Sequence, residues 1–422
     1  MKKILLLLAF GCLSLQVWSQ DYDLEALEAT FLKNNLRILA AKYEIGQAEA
    51  KLAQERVWPN PSLSLDNVNL WSNSTVEEQP LLFGKFGKKQ QFGLELEQLI
   101  ETAGKRKKRV AIRQTELDVQ AISFEELLWS LKYELRIAYY QLALSKQELR
   151  LLEESMESFT QLRDLYAKQA AKLHVSSAAY YRIQSELLSI EKEVFTLRSK
   201  EQEALGQLKV LTRMANLSIT DLRFPKFQLK NLPKSYDHLL TLAKDQNFQI
   251  KLQERNLIKS EQEFQLEKAN AKPDLTTSVA FERGGNIMQN FVGIGVKVDL
   301  PLFNRNKGNI KAAKNQVEQE TTQKQYLEQE LEVQIVHVYQ ELTRLEKLIL
   351  SWDDLEAASG QDLLSKFRKQ LTEHQITLLE YLDFAQAYQN AQQAKFGIQE
   401  NYLQRYEELQ FLLGSGTQGY EN

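Results

Sequence analysis

The chain holds few residues that could do catalytic chemistry. Its four histidines, His174, His238, His337 and His374, lie far apart, and none falls in a ligand spacing such as H-E-x-x-H. There is no glycine-rich phosphate loop, dinucleotide fingerprint or nucleophile elbow. The single cysteine, Cys12, lies in the N-terminal apolar run; if that run is removed, disulfides and cysteine-ligated metals are excluded. No enzyme reading is supported, a zinc hydrolase included, and no cofactor or resident metal is expected. His374 offers one imidazole with no second ligand beside it. One pair of carboxylates has a meaningful spacing: Glu380 and Asp383, at i and i+3, share one face of a helix. Acidic residues in a first helical turn are also what the helix dipole favours.

The elements that position these groups begin with an export signal over residues 1–19. Lys2 and Lys3 precede the apolar run that opens at Ile4, and Val17-Trp18-Ser19 puts small residues at the −3 and −1 positions of a cleavage site. Cys12 follows Gly11, as a lipid-processing site requires, but apolar residues continue past it to Trp18; it reads as an ordinary signal residue or as a lipidated cysteine. Loss of Lys2 and Lys3 moves the formal net charge from −3 to −5, which gives no sign of nucleic-acid binding. No other stretch approaches the ~20 apolar residues of a membrane-spanning helix.

The mature chain is a duplication. Asn35-Leu36-Arg37-Ile38 lies over Asn247-Phe248-Gln249-Ile250, and Gly93-Leu94-Glu95-Leu96-Glu97 over Gly295-Val296-Lys297-Val298-Asp299. Val175-Ser176 then falls on Ile376-Thr377. The first repeat spans 20–215 and the second 236–413, joined by a linker at 216–235 and followed by a tail at 414–422. Each repeat reads as helix, two strands, very long helix, helix. In the first, the strands are 61–71 and 90–99 and the later helices 103–172 and 176–213. In the second, the strands are 274–283 and 290–300 and the helices 304–371 and 377–413.

Alternation carries the strands. Leu63 and Leu65, then Phe92, Leu94 and Leu96, share faces in the first repeat; Leu275, Thr277, Val279 and Phe281, then Val292, Ile294, Val296, Val298 and Leu300, do so in the second. Heptads carry the long helices. Leu117, Ala121, Phe124, Leu128, Leu131, Leu135, Ala138, Leu142, Ser145, Leu149 and Leu152 keep an unbroken 4-3 spacing. Leu327, Leu331, Val338, Leu345 and Leu348 repeat it, with Gln334 and Glu341 as interruptions. A helix over 103–172 would run ~105 Å at 1.5 Å per residue. The shorter helices, 23–56 with 176–213 and 236–271 with 377–413, could pair along the long ones.

Four strands of roughly 9–11 residues suit a transmembrane β-barrel, but four cannot close around a pore. Open edges in lipid would leave backbone groups unsatisfied. The chain should therefore oligomerise, and a trimer would supply twelve strands. A periplasmic coiled-coil scaffold without a pore is the competing architecture, and the paired alternating segments argue against it.

Three segments resemble the TolC-like outer-membrane efflux proteins, in particular their heavy-metal branch, the CzcC- and CusC-like proteins. They are Trp58-Pro59-Asn60-Pro61-Ser62-Leu63-Ser64-Leu65 leading into the first strand, Glu101-Thr102-Ala103-Gly104-Lys105-Arg106 at a strand-to-helix junction, and Leu300-Pro301-Leu302-Phe303-Asn304-Arg305-Asn306-Lys307-Gly308-Asn309-Ile310 at the next. Gly104, Pro301, Asn304 and Gly308 mark these junctions. The resemblance implies a mainly helical fold with a small β part: a homotrimer with a twelve-stranded barrel in outer-membrane lipid and a helical tunnel in the periplasm. It also implies a periplasmic adaptor at the tunnel tip and a proton-driven inner-membrane pump of the RND type. The implied function is a duct for heavy-metal cations, with drug efflux or type I polypeptide secretion as alternative cargoes. Leu173, His174, Val175 and Ser176, with His374, Gln375, Ile376 and Thr377, form the two implied adaptor-contacting turns. Ser176 and Thr377 are expected N-caps. Many family members place a glycine in these turns, near the positions where Leu173 and His374 stand here. Glu380 and Asp383 fall where the family carries acidic residues around its constriction, so a trimer would gather up to six carboxylates; the other reading is an ordinary acidic first turn. The first-repeat equivalents are Ala179 and Arg182.

Overall fold

A computed structural model describes residues 22–71, 78–84, 86–232, 236–284, 290–359 and 363–414. The expected signal at 1–19, Cys12, and all of the tail beyond Gly414 lie outside them. The helices are α1 (Leu24–Asn34), α2 (Leu36–Glu55), α3 (Lys105–Ala171), α4 (Ser177–Thr212), α5 (Tyr236–Gln246), α6 (Phe248–Asn270), α7 (Lys307–Ser359), α8 (Leu363–Thr372) and α9 (Leu378–Leu413). The strands are β1 (Ser62–Asn69), β2 (Gln91–Ile100), β3 (Leu275–Arg283) and β4 (Asn290–Val298). No helix among the described residues is long and apolar enough to cross a membrane.

Two compact units divide the chain. One, built from 40–126 and 244–331, holds the whole sheet. Its strands run antiparallel in the order β1-β2-β3-β4, so β2 and β3, from different repeats, pair through nine consecutive partners from Phe92↔Arg283 to Ile100↔Leu275. The other unit is helical, built from residues up to 39, 127–243 and from 332 onward. Its core takes Leu131, Leu135, Ala138 and Leu142 from α3, Ile183, Leu187 and Ile190 from α4, and Tyr381, Ala385 and Tyr402 from α9.

The heptad of α3 is buried from Leu131 to Leu152, but Ala121, in the sheet-bearing unit, is exposed. In α7 the expected Leu331 and Val338 lie on the seam, which otherwise departs from the expected line by one residue. Leu331, Ile335, Val338, Leu342 and Ile349 are buried, while Leu348 is exposed. Gln334 and Glu341 are therefore not interruptions; the 4-3 spacing passes through Ile335 and Leu342 instead.

The expected helices 23–56 and 236–271 are each broken, at Asn35 and Asn247. Asn35 ends α1 with extended backbone. Its Oδ1 accepts from the amides of Arg37 (2.9 Å) and Ile38 (3.2 Å), and its Nδ2 donates to the Leu211 carbonyl at 2.9 Å. Asn247 caps Gln249 (2.9 Å) and Ile250 (3.2 Å) in the same way. An asparagine that serves as N-cap stabilises a fresh helix start by about 1 kcal/mol, which makes the break favourable. The long helices also start later than expected. Gly104 (φ +67°) and Asn306 (φ +55°) take left-handed backbone just before α3 and α7, a conformation that cannot continue a right-handed helix. Of the helix expected over 304–371, α7 is described to Ser359 and α8 from Leu363, and residues 360–362 lie outside the described residues.

Candidate functional site

The sheet sorts its side chains by face, as alternation requires. One face carries rows of paired apolar residues: Leu65–Leu94–Phe281–Val292 and Leu63–Leu96–Val279–Ile294. These are not core residues; Leu63 is 71% exposed and Ile294 85%. The opposite face carries Ser62–Glu97–Ser278–Gly295 and Ser64–Glu95–Ala280–Gly293. An apolar face left open on a sheet whose other face is polar is the pattern of a membrane barrel wall, with lipid outside and water within. Large apolar side chains flank the band. Trp58, beneath the Arg106 guanidinium at 3.9 Å, and Phe303, fully exposed, lie at one end; Trp71, 83% exposed, lies at the other. Such rings suit the polar–apolar boundary of a bilayer. Within the chain the outer edges of β1 and β4 have no strand partner among the described residues, and in lipid such edges must be paired.

The strand-to-helix junction is held by charge. Helix α3 opens with Lys105-Arg106-Lys107-Lys108-Arg109, a basic run where the helix dipole disfavours cations. The run is therefore partnered. Lys105 Nζ, buried, donates to Asp274 Oδ2 and to the Lys272 carbonyl, both at 2.8 Å. The Thr102 amide donates to Asp274 Oδ1 at 2.8 Å, and its hydroxyl donates to the Pro273 carbonyl. Arg109 grips Glu101 with two bonds of 2.7 Å and donates to Glu55 at 2.6 Å. Burial alone would raise the Asp274 carboxyl, but the Lys105 and Thr102 bonds bring it below the ordinary aspartate range. A depressed carboxylate contributes stability above its unfolded pKa of about 3.9 and loses it as pH falls through the folded value, so this clamp weakens only in acid.

Of the junction residues expected from sequence, Gly104 supplies the left-handed turn before α3. Asn304 Oδ1 accepts from the Asn306 amide at 3.1 Å. Pro301 precedes α7 and Gly308 lies in its first turn. The position equivalent to Gly104 is Asn306, whose Nδ2 donates to Glu267 Oε2 at 2.6 Å. The Lys105–Asp274 pair was not read from sequence, since its partners stand 169 residues apart; the misplaced basic run was the available signal.

Two helical turns form the other candidate region. The α3–α4 turn closes with Leu173 N donating to the Ala170 carbonyl (3.0 Å) and His174 N to the Gln169 carbonyl (2.9 Å). The α8–α9 turn repeats this with His374 N to Leu371 (3.1 Å) and Gln375 N to Gln370 (2.8 Å). Both are Schellman closures, which call for a left-handed residue after the helix cap. Leu173 (φ +59°) and His374 (φ +58°) fill that place. Ser176 then caps α4 through the Ala179 amide (3.3 Å).

Thr377 caps α9 in a reciprocal box: the Glu380 amide donates to Thr377 Oγ1 at 3.3 Å, and the Thr377 amide donates to Glu380 Oε2 at 2.7 Å. Glu380 is exposed, and its bonds from the Thr377 backbone and hydroxyl hold its carboxyl below the ordinary glutamate range. Asp383, one turn on, is also exposed. Leu173, His174, Ser176, His374, Gln375 and Thr377 are exposed, whereas Val175 and Ile376 are half-buried. Ile376 packs on a core of Phe159, Leu162, Ile183, Leu187, Leu371 and Tyr381, which roots both turns in one cluster.

Left-handed backbone costs a residue with a side chain about 1–2 kcal/mol, while glycine loses more chain entropy on folding. Leu173→Gly and His374→Gly should each stabilise the tip by roughly 0.5–1 kcal/mol, read as slower hydrogen exchange in its core amides. Unchanged exchange would mean that the turns are not strained. Among the described residues no group of three or more His, Cys, Asp or Glu could hold a metal ion.

Residues 29–212 match the protein family described as outer membrane efflux protein. That match lies in the first repeat, and over the rest of the chain the likeness is one of fold. Among its relatives is the cobalt-zinc-cadmium resistance protein CzcC of Cupriavidus metallidurans, 21% identical over 306 residues, or 72% of this chain and 68% of that one. The fold is similar to that of CusC (TM-score 0.73, 17% identity, covering 94% of this chain and 93% of that one). It is also similar to the CmeC outer membrane channel of Campylobacter jejuni (TM-score 0.72, 17% identity, covering 94% and 86%).

Proposed function

We propose that the chain is the outer-membrane exit duct of a tripartite efflux system and that it works as a homotrimer carrying heavy-metal cations. The observation that carries this reading is the four-stranded sheet with one exposed apolar face and two unpartnered edges. Three copies joined β4 to β1 satisfy both edges and close twelve strands around a polar lumen. The turns at Leu173–Ser176 and His374–Thr377 are the docking points for a periplasmic adaptor, which couples the duct to a proton-driven RND-type pump. Each repeat supplies one turn of like geometry, so a trimer offers six like contacts. The metal cargo is supported by the likeness to CzcC; drug or polypeptide cargo would share the same duct.

Glu380 and Asp383 of three chains form the selectivity ring at the periplasmic mouth, where fixed carboxylates favour cations. Glu380 holds its place by capping α9, so one carboxylate starts the helix and carries the charge. Glutamine can keep that capping bond while losing the charge. Glu380→Gln with Asp383→Asn should therefore leave the trimer intact and lower its cation-over-anion permeability several-fold in a planar bilayer. Because the Glu380 carboxyl titrates below the usual glutamate value of about 4.3, its contribution to selectivity should persist on acidification to that value and vanish only below it. Unaltered reversal potentials in the double variant would leave both residues as first-turn acids with no part in selection.

A further inference from the structure

The loop joining β1 to β2 is described at residues 78–84 and 86–90, and it is ordered in a way a simple surface connection does not need. Gln79 N donates to the Lys88 carbonyl and Leu82 N to the Phe86 carbonyl, both at 2.8 Å. Beneath the loop lies Arg283, the last residue of β3 and only 6% exposed. Its Nη2 donates to the carbonyl of Gly87 at 3.1 Å and to that of Pro80. Arg283 alternates with Val279 and Phe281 and pairs with Phe92, so it belongs to the apolar face of the sheet. Its grip lays the loop at the end of that face.

Several of the side chains this loop turns outward are apolar. Phe83 is 78% exposed, Leu81 49% and Phe86 45%. Lys88 and Lys89 follow, with Glu78 3.4 Å from Lys88. Lys88, Lys89 and Arg283 against Glu78 leave these residues two positive charges in excess. Exposed aromatic and aliphatic side chains beside lysines, continuous with a lipid-facing band, have the composition of a segment that lies in a membrane interface.

We propose that this loop is a lipid-binding foot: Leu81, Phe83 and Phe86 enter the acyl–headgroup boundary of the outer leaflet, and Lys88 and Lys89 meet lipid phosphate groups. The proposal rests on reading the sheet as a membrane barrel. Arg283 acts as the positioning residue: its Nη2 donates to two loop carbonyls, so that the apolar side chains are presented in one arrangement.

The test uses the full chain with Cys12→Ser, reconstituted in vesicles of phosphatidylethanolamine and phosphatidylglycerol. Phe83→Cys, or Ile294→Cys as a reference in β4, carries an environment-sensitive fluorophore. Quenching by lipid brominated high in its acyl chain is compared with quenching by aqueous iodide. Both probes should be quenched several-fold more strongly by the lipid. Adding Lys88→Glu and Lys89→Glu should reduce lipid quenching at position 83 about two-fold and leave position 294 unchanged; no reduction would overturn the phosphate contact. With position 294 lipid-quenched, iodide quenching alone at 83 would put the loop in water. Quenching at 83 by neither agent would put it under a neighbouring copy. Either result overturns the proposal. A reference probe that lipid does not quench would sink the barrel reading itself, and the foot with it.

Discussion

Ile294→Arg should abolish assembly into the membrane. Ile294 lies at the middle of β4, 85% exposed on the apolar face and paired with Val279. A charged side chain facing lipid at the midplane of a barrel costs about 2–4 kcal/mol. Three copies per assembly would bring the cost to roughly 6–12 kcal/mol, comparable to the whole stability of a typical domain. The variant should yield no heat-resistant trimer when refolded into vesicles. Ser64→Arg, on the polar face of the same sheet, should assemble nearly as well as the parent. Equal assembly of the two variants would contradict the assignment of faces.

Arg136→Met should be the most damaging single change in the helical unit. Arg136 donates from Nε to Glu28 at 2.6 Å and from Nη1 to Glu407 at 2.9 Å, joining α1, α3 and α9. Glu407 is 4% exposed and also accepts from the Tyr140 hydroxyl at 3.0 Å; Lys132 supports Glu28 at 2.9 Å. Burial alone would lower the Arg136 pKa, but the attraction of Glu407 and Glu28 raises it above its ordinary value. Burial, then Glu407, raises the Tyr140 phenol as well, so this group stays a hydrogen-bond donor. Without Arg136, Glu407 is a buried carboxylate with only a neutral donor, and breaking such a pair costs about 3–5 kcal/mol. The helical thermal transition should fall clearly in Arg136→Met and recover in part when Glu407→Gln is added. An unchanged transition in the single variant would mean that the network adds nothing to the fold.

The parts of this architecture that were legible in the sequence were those written in local periodicity. The apolar alternation at Leu63–Leu65, Leu94–Leu96, Val279–Phe281 and Val292–Val296 survives as four paired strands. The heptad of α3 survives from Leu131 onward. In α7 the expected line holds at Leu331 and Val338 but departs by one residue elsewhere, where packing against neighbours selects Ile335, Leu342 and Ile349. Asn35 and Asn247 were read through because asparagine is tolerated inside helices. Their capping role depends on the chain turning there, and for Asn35 on the distant Leu211 carbonyl as well. The capping box at Thr377 and Glu380 has a sequence signature, T-x-x-E, of which the expected Thr377 cap is one half. The Lys105–Asp274 clamp joins the two repeats through space; the basic run at the start of α3 signals that a partner is needed, but no local pattern names Asp274.

Single-channel recording of the purified trimer in a planar bilayer, with selectivity from reversal potentials, tests the central claim most directly. A duct with a polar lumen and an acidic mouth should give discrete, cation-selective current steps. Anion-selective steps would contradict the acidic mouth. The absence of steps from a folded trimer, in both the parent and the Glu380→Gln with Asp383→Asn variant, would contradict the channel itself.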